Sequence, residues 1–504
     1  MNELANIPEV THEWGAILPE IILGVTALLL LVLEVVVPAL KRSLPYVAMV
    51  VQGGLALYLG WVTFSAPVVD SSTFFGGMLS QGPDTNWMRI FFLVCGVFVS
   101  HLGLTYLKNR PLARIEFFHI QLVIVACFML LVQSAHFGML FVALETLTIG
   151  FYILVAYGRN SNFSLEAGLK YLITGAFSSG IMLFGIVLLF GSASNPIFDY
   201  STTQPLHFNE LGTFFTSYHR MHDGGQSLLS LVGAGLVICG LAFKIGLVPF
   251  QIWIADVYQG APTPVTAFLA VASKAAGVFV LINLLRGPFA DLDEITMPLL
   301  TVMTAATLLI GNLAALGQRN VKRLMGMSGV AHAGILILGV LALISRPSLM
   351  PVLFFYLVVY ALASFGVFEV MSHVGAEEDA DQQFEDYSEL MKNQPLLGGA
   401  LAIGLGSLAG IPPLAGFIAK VLIFYAAIQA ELYVMLALAI FGVVCSIYYY
   451  FGWLRASVTK AVFAEEGRPA PVAPSFCAKV VLYGVSGLSV FFGLYQGIFG
   501  LPGY

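Results

Sequence analysis

Six ionisable residues lie within long apolar runs of this chain: Glu145, Lys170, Lys244, Lys274, His332 and Lys420. Taking a lysine out of water disfavours its ammonium form, and a carboxylate within about 4–6 Å restores it. Moving that carboxylate, or wetting the site, makes the amine take up or release a proton. A series of Glu, Lys, Lys and Lys joined by water is therefore a proton relay of adjustable occupancy. His332 is either a further relay member or a neutral, hydrogen-bonded core histidine. Nothing orients a base on a hydroxyl or thiol, so nucleophilic catalysis has no support.

The elements that hold these residues must be membrane helices. Of 504 residues, 59% are apolar and only 10% charged, against about 25% charged in soluble chains. The 22 Lys+Arg and 28 Asp+Glu cannot clothe a soluble surface of this size, and a net charge of −6 with no basic stripe excludes nucleic acid as a partner. Lipid is the implied surroundings. Cys95, Cys127, Cys239, Cys445 and Cys477 form no C-x-x-C pair, so neither a metal nor an iron–sulfur site is expected. The acidic start (Glu3, Glu9, Glu13) lacks the basic region of a signal peptide. The glycine-rich run 404–410 does not follow a strand and reads as close helix packing, not a nucleotide loop.

A helix needs roughly 20 apolar residues to cross a ~30 Å hydrocarbon core. The expected spans are 16–37, 45–66, 88–107, 115–134, 136–157, 168–190, 226–258, 264–285, 296–317, 324–344, 349–372, 395–430, 432–454 and 475–498, fourteen in all. The fold class is thus an all-α polytopic membrane protein. Lys41 and Arg42, Lys108, Arg110 and Arg114, Arg159, Arg319, Lys322 and Arg323, and Arg455, Lys460 and Arg468 then fall on one side. The opposite loops carry Asp70, Asp84, Asp199, Glu210, Asp223, Asp291, Asp293 and Glu294. The positive-inside rule places the N-terminus outside. The acidic loop 373–394 (Glu377, Glu378, Asp379, Asp381, Glu385, Asp386) is the one discord.

Two spans are too long. Residues 226–258 would reach about 50 Å as one straight helix, and 395–430 longer still. Pro249 interrupts the first, Pro412 and Pro413 the second, and proline both removes a backbone bond and clashes with the preceding turn. Discontinuous helices of this kind mark ion or substrate paths in transporters. Gly246-Leu-Val-Pro249 and Gly410-Ile-Pro412-Pro413 share the pattern G-x-x-P. Either two five-helix repeats (spans 4–8 and 9–13) of inverted topology are present, or two unrelated helices are kinked. Glu145, Lys274 and His332 stand near mid-span, and Lys244 and Lys420 flank the breaks. Lys170 lies one turn inside its span and could reach the interface instead. Glu20, Glu34 and Glu369 read as interfacial, and Asp256 as either.

Leu241-Ala-Phe-Lys244-Ile-Gly-Leu-Val-Pro249-Phe and the run from Asp256 through Gly260-Ala-Pro-Thr-Pro264 to Lys274-Ala-Ala-Gly277 carry a resemblance. So do Glu166-Ala-Gly-Leu-Lys170-Tyr, Ala331-His332-Ala-Gly334 and Ser407-Leu-Ala-Gly-Ile-Pro412-Pro413-Leu-Ala-Gly-Phe417-Ile-Ala-Lys420. Over nearly its whole length the chain resembles the antiporter-like membrane subunits of proton-pumping NADH–quinone oxidoreductase, respiratory complex I. The largest paralogue carries a lateral helix after the common core, and this chain stops soon after span fourteen. The middle one typically has a glutamate at the place of Lys420. Pro19-Glu20-Ile-Ile-Leu and the Asp256–Lys274 run are similar to the branch called subunit N. The resemblance implies that Glu145, Lys170, Lys244, Lys274 and Lys420 are the family's relay residues. It implies other complex I membrane subunits as partners and a multi-pass place in the bacterial inner membrane. It implies no cofactor in this chain, with quinone, NADH or another donor, FMN and Fe–S clusters in other subunits. An Mrp-type cation/proton antiporter subunit is the alternative, and an inactive scaffold a more distant one. Gln251, Gly329 and the Leu-Glu145-Thr context depart from the usual family pattern. The implied division is an N-terminal three-helix segment 1–114, repeats 115–285 and 296–457, and a C-terminal helix 458–504.

Overall fold

The computed structural model describes residues 14–37, 39, 41, 43–65, 71–108, 112, 115–194, 202, 204–222, 225–374, 379–460 and 471–497. Outside them lie Glu3, Glu9 and Glu13 of the acidic start, and Arg42, Asp70, Arg110, Arg114, Asp199, Asp223, Glu377, Glu378 and Arg468, which entered the orientation argument above. Six helices open the chain: α1 (Leu18–Val36), α2 (Leu44–Ser65), α3 (Pro83–Leu107), α4 (Ile115–Gln133), α5 (Phe137–Val155) and α6 (Asn162–Ala193). After a surface helix α7 (Phe208–Met221), the first broken span comprises α8 (Leu228–Ile245) and the short α9 (Ile254–Gly260). The next span is α10 (Thr263–Phe268), a π-helical turn Leu269–Ser273, and α11 (Lys274–Arg286). Then follow α12 (Asp293–Leu316), α13 (Val321–Ser345), α14 (Met350–Val374) and the one-turn α15 (Leu390–Asn393). The second broken span is α16 (Pro395–Ala409) plus α17 (Ala415–Gln429), and α18 (Tyr433–Val458) and α19 (Phe476–Leu494) close the fold. Thirteen of these segments are long and apolar enough to cross a membrane. The α16/α17 pair, each half too short alone, makes the fourteenth.

Both breaks arise from the same local chemistry. Gly246 and Gly410 each sit at φ 85°, the left-handed region that ends a helix at little cost only for glycine. After each, the backbone turns back on its own last turn: Leu247 N–H donates to Ala242 O at 2.9 Å and Ile411 N–H to Gly406 O at 3.0 Å. The prolines then prevent the helix from resuming. Groups freed within the bilayer must be satisfied inside the protein. Val248 N–H donates to Thr307 Oγ1 of α12 at 3.0 Å. The carbonyls of Leu408 and Ala409 accept from Lys420 Nζ at 2.7 and 3.0 Å.

The structure adds two elements in the connections and corrects one expectation. A hairpin, β1 (Ser72–Phe74) with β2 (Leu79–Gln81), occupies the 67–87 connection. Within the 191–225 connection α7 buries Phe208, Leu211, Phe214 and Phe215, one apolar stripe at helical spacing. Glu20 and Glu369 are not interfacial but 4% and 1% exposed. Glu20 is buried because Arg89 of α3 grips both its oxygens, at 2.9 and 2.8 Å, while Gln133 of α4 donates to it at 2.6 Å. This fixes α1, α3 and α4 to one another. Glu34, by contrast, is partly exposed and lies 3.6 Å from Lys41. The acidic 379–387 segment also finds its reason. Asp379 accepts from Lys322 Nζ at 3.0 Å and from the backbone N–H and hydroxyl of Thr263 at 3.0 and 2.8 Å, at the start of α10.

Candidate functional site

Close approach between helices sets the site. Gly185 of α6 and Gly233 of α8 stand so near that a Cβ on either would press on the other's carbonyl, the small-residue packing that draws membrane helices together. That packing carries α8 to α6, where Lys244 turns inward in the last helical turn of α8. Lys244 is 5% exposed, and its Nζ donates to Thr148 Oγ1 of α5 at 2.8 Å. A cation suits this position because the carbonyl end of a helix is the negative end of its dipole. Glu145 lies one turn before Thr148 and accepts from the Ser179 hydroxyl of α6. Among the described residues Glu145 and Lys244 form no direct ion pair: Lys244 is held by Thr148 and Glu145 by Ser179.

Lys274 is the twelfth of 24 residues in its span, directly after the π-helical turn. Such turns re-aim side chains and recur at functional sites. Among the described residues its Nζ has no hydrogen-bond partner. The ammonium instead lies 5.8 Å from the ring centroids of both Tyr258 and Tyr360, within cation–π range. Gly329 of α13 makes the room, since a Cβ there would collide with Lys274 Nζ.

From Lys274 the polar path continues through α13 and α14. His332 shares a hydrogen bond of 2.7 Å with Tyr356 OH through Nδ1 and one of 3.4 Å with Tyr450 OH through Nε2. A cavity of about 10 Å³ lies between His332, Tyr356, Tyr360, Ser407 and Lys420, room for about one water. Lys420, 4% exposed, closes the series on the carbonyls that end α16.

The structure therefore brings Glu145 to Lys244, and Lys274 through His332 to Lys420. Lys170 stands apart. Its side chain is 42% exposed and bridges Glu166 (2.7 Å) and Asp256 (2.6 Å), and Asp256 in turn pairs with Arg323 (2.6 Å). Sequence reasoning missed Thr148, Ser179, Tyr258, Tyr356, Tyr360 and Tyr450. The one signal for them was Tyr356 and Tyr360, polar groups four apart and hence on one helix face.

Residues 134–446 match the family described as NADH:quinone oxidoreductase/Mrp antiporter, TM. The chain is 49% identical over 496 residues to NADH-quinone oxidoreductase subunit N 1 of Opitutus terrae, covering 97% of this chain and 96% of that one. It is 35% identical over 469 residues to the subunit N of Chloroflexus aggregans, covering 92% and 91%. Among solved structures it is similar to a chain of respiratory complex I from Thermus thermophilus. There the TM-score is 0.76 at 29% identity, covering 95% of this chain and 98% of that one. A chain of the Mrp complex from a Dietzia species gives TM-score 0.78 at 19% identity, covering 96% and 95%, which is a likeness of fold.

Proposed function

The chain belongs to the NADH:quinone oxidoreductase/Mrp antiporter membrane family, on its subunit N branch, and from that premise we propose that it is a membrane-arm subunit of complex I that translocates protons. The relay is Glu145, Lys244, Lys274, His332 and Lys420, with Lys170 at one rim. The chain takes part in a proton-translocating NADH:quinone oxidoreductase without redox chemistry of its own. Flavin, iron–sulfur clusters and quinone belong to neighbouring subunits, whose reaction drives this one. The basic loops face the cytoplasm and the N-terminus faces outward. The two G-x-x-P breaks belong to inverted five-helix repeats, 115–285 and 296–457, between an N-terminal segment 1–114 and a C-terminal helix 458–504.

The observation that carries the relay is Lys274. A buried amine at mid-span, held by two aromatic rings and, among the described residues, by no carboxylate, costs at least ~2.5–3.5 kcal/mol to insert. Chemistry at the amine accounts for that cost, whereas a purely structural role would be served by an apolar residue. The test is Lys274→Ala in the whole complex, in sealed vesicles, with quinone-linked proton uptake followed and assembly checked separately. Loss of pumping in an assembled complex is expected. Normal pumping would overturn the relay and leave a structural lysine.

A further inference from the structure

A second buried cluster of titratable groups lies away from the Lys244–Lys420 series. Glu369 of α14 is 1% exposed, His373 one turn later 3%, and His101 of α3 7%. The Nε2 atoms of His101 and His373 meet the same carboxylate oxygen of Glu369, at 3.2 and 3.3 Å. Among the described residues its other oxygen, Oε2, and His373 Nδ1 are buried without a hydrogen-bond partner. A carboxylate with one oxygen gripped and one bare is poorly suited to a purely structural post, because each unmet buried polar atom costs about 1–3 kcal/mol.

The cluster sits toward the C-terminal end of α14, the end next to which Asp379 and Lys322 of α13 meet. Gln382 links the two places, donating to Met371 O at 3.4 Å and to Asp379 at 2.9 Å. The same helix leads to the relay. From Glu369 back to Tyr360 is nine residues, about 13.5 Å along the axis, past the buried Ser364. Tyr360 OH lies 3.4 Å from where a Cβ of Gly329 would sit, the point that Lys274 Nζ also crowds. The elements packed on this part of α14 offer few other charges. α10, the π-helical turn and α16 carry no Asp, Glu, His, Lys or Arg, and Lys479 of α19 is exposed. On α13, Lys322 is engaged by Asp379 and His332 by Tyr356, and Lys420 of α17 by the Leu408 carbonyl.

We propose that Glu369, set by His101 and His373, is the proton-loading group that supplies Lys274 from the basic-loop side. This rests on the relay proposed above. A proton from that side binds Glu369 Oε2 and leaves it through water to the Tyr360 hydroxyl. That hydroxyl accepts one proton and gives up its own, and the neutral Lys274 amine becomes an ammonium. The carboxylate, again anionic, is ready to reload.

The test uses the intact complex in sealed vesicles, with Glu369→Gln and Lys274→Ala compared for proton uptake per quinone reduced. The expected result for Glu369→Gln is a fall of about tenfold or more, with loss of a protonated-carboxyl band from the turnover infrared difference spectrum. Glu369→Asp should restore part of both. Normal uptake in Glu369→Gln with loss in Lys274→Ala overturns the loading role and leaves the relay standing. Normal uptake in both overturns relay and loading role together. If Glu369→Gln does not assemble, His373→Gln decides, because it keeps the carboxylate but removes a group that sets its affinity. A shifted pH profile of uptake is expected there, and an unchanged one overturns the proposal.

Discussion

Gly329→Ala isolates the seat of Lys274 without touching the lysine. The added methyl would collide with Nζ, so the amine must retreat by about 1 Å, a displacement on the scale that costs catalytic groups about a hundredfold. The stability terms nearly cancel. Alanine in place of glycine inside a helix gains about 1 kcal/mol, and forcing a lysine off its rotamer costs about 0.5–1.5 kcal/mol. The complex should therefore assemble and pump poorly. Gly334→Ala, on the same helix, is the matched contrast. Its Cβ would lie 2.9 Å from Leu308 Cδ2 and 3.2 Å from the Leu308 backbone nitrogen, so it overpacks by about 1–3 kcal/mol without approaching the lysine. It should lower the melting temperature and leave pumping per assembled complex unchanged. Both are measured as initial proton uptake normalised to quinone reduction. Equal pumping in Gly329→Ala and the unsubstituted complex would refute the argument that the amine's position at this point matters.

Two further outcomes follow from the geometry. Lys170→Ala should reduce proton uptake less than Lys274→Ala in the same vesicle assay, because the Lys170 side chain is 42% exposed and water can partly replace it. Lys322→Met should lower assembly and thermal stability, since stripping one partner from a buried ion pair costs about 3–5 kcal/mol; the melting temperature of the purified complex measures it, and an unchanged value would show that Asp379 is not dependent on Lys322.

The parts of this fold legible in the sequence were those with a local cause. A glycine that can turn left-handed, followed within three residues by a proline, ends a helix wherever it stands, so both breaks could be placed to the residue. Charges in apolar runs are equally plain, which is why Lys244, Lys274 and Lys420 stood out. Glu369 was misread because its place near a span end is ordinary for an interfacial carboxylate. What buries it is His101, 268 residues away in the chain, and no periodicity reports such a pairing. Arg89 hid Glu20 in the same way. The helix α7 has no 20-residue apolar run; its only sequence signal is a 14-residue stripe of four buried aromatic and aliphatic side chains.

The manner in which the lysines are held bears on the proposed relay. Lys244 is met by a hydroxyl, Lys274 by two aromatic rings and Lys420 by two carbonyls. None of the three is within ion-pair distance of a carboxylate among the described residues. A buried ion pair would fix the ammonium, since separating it exposes two uncompensated charges at several kcal/mol each. Neutral acceptors stabilise an ammonium without locking it and impose little cost when the amine is neutral. The single carboxylate of the series, Glu145, is held one turn from Thr148 by Ser179. A shift of that one group toward Lys244 would change the balance at the first lysine. The next sites would then respond to their neighbour's charge, with no ion pair to break at any step.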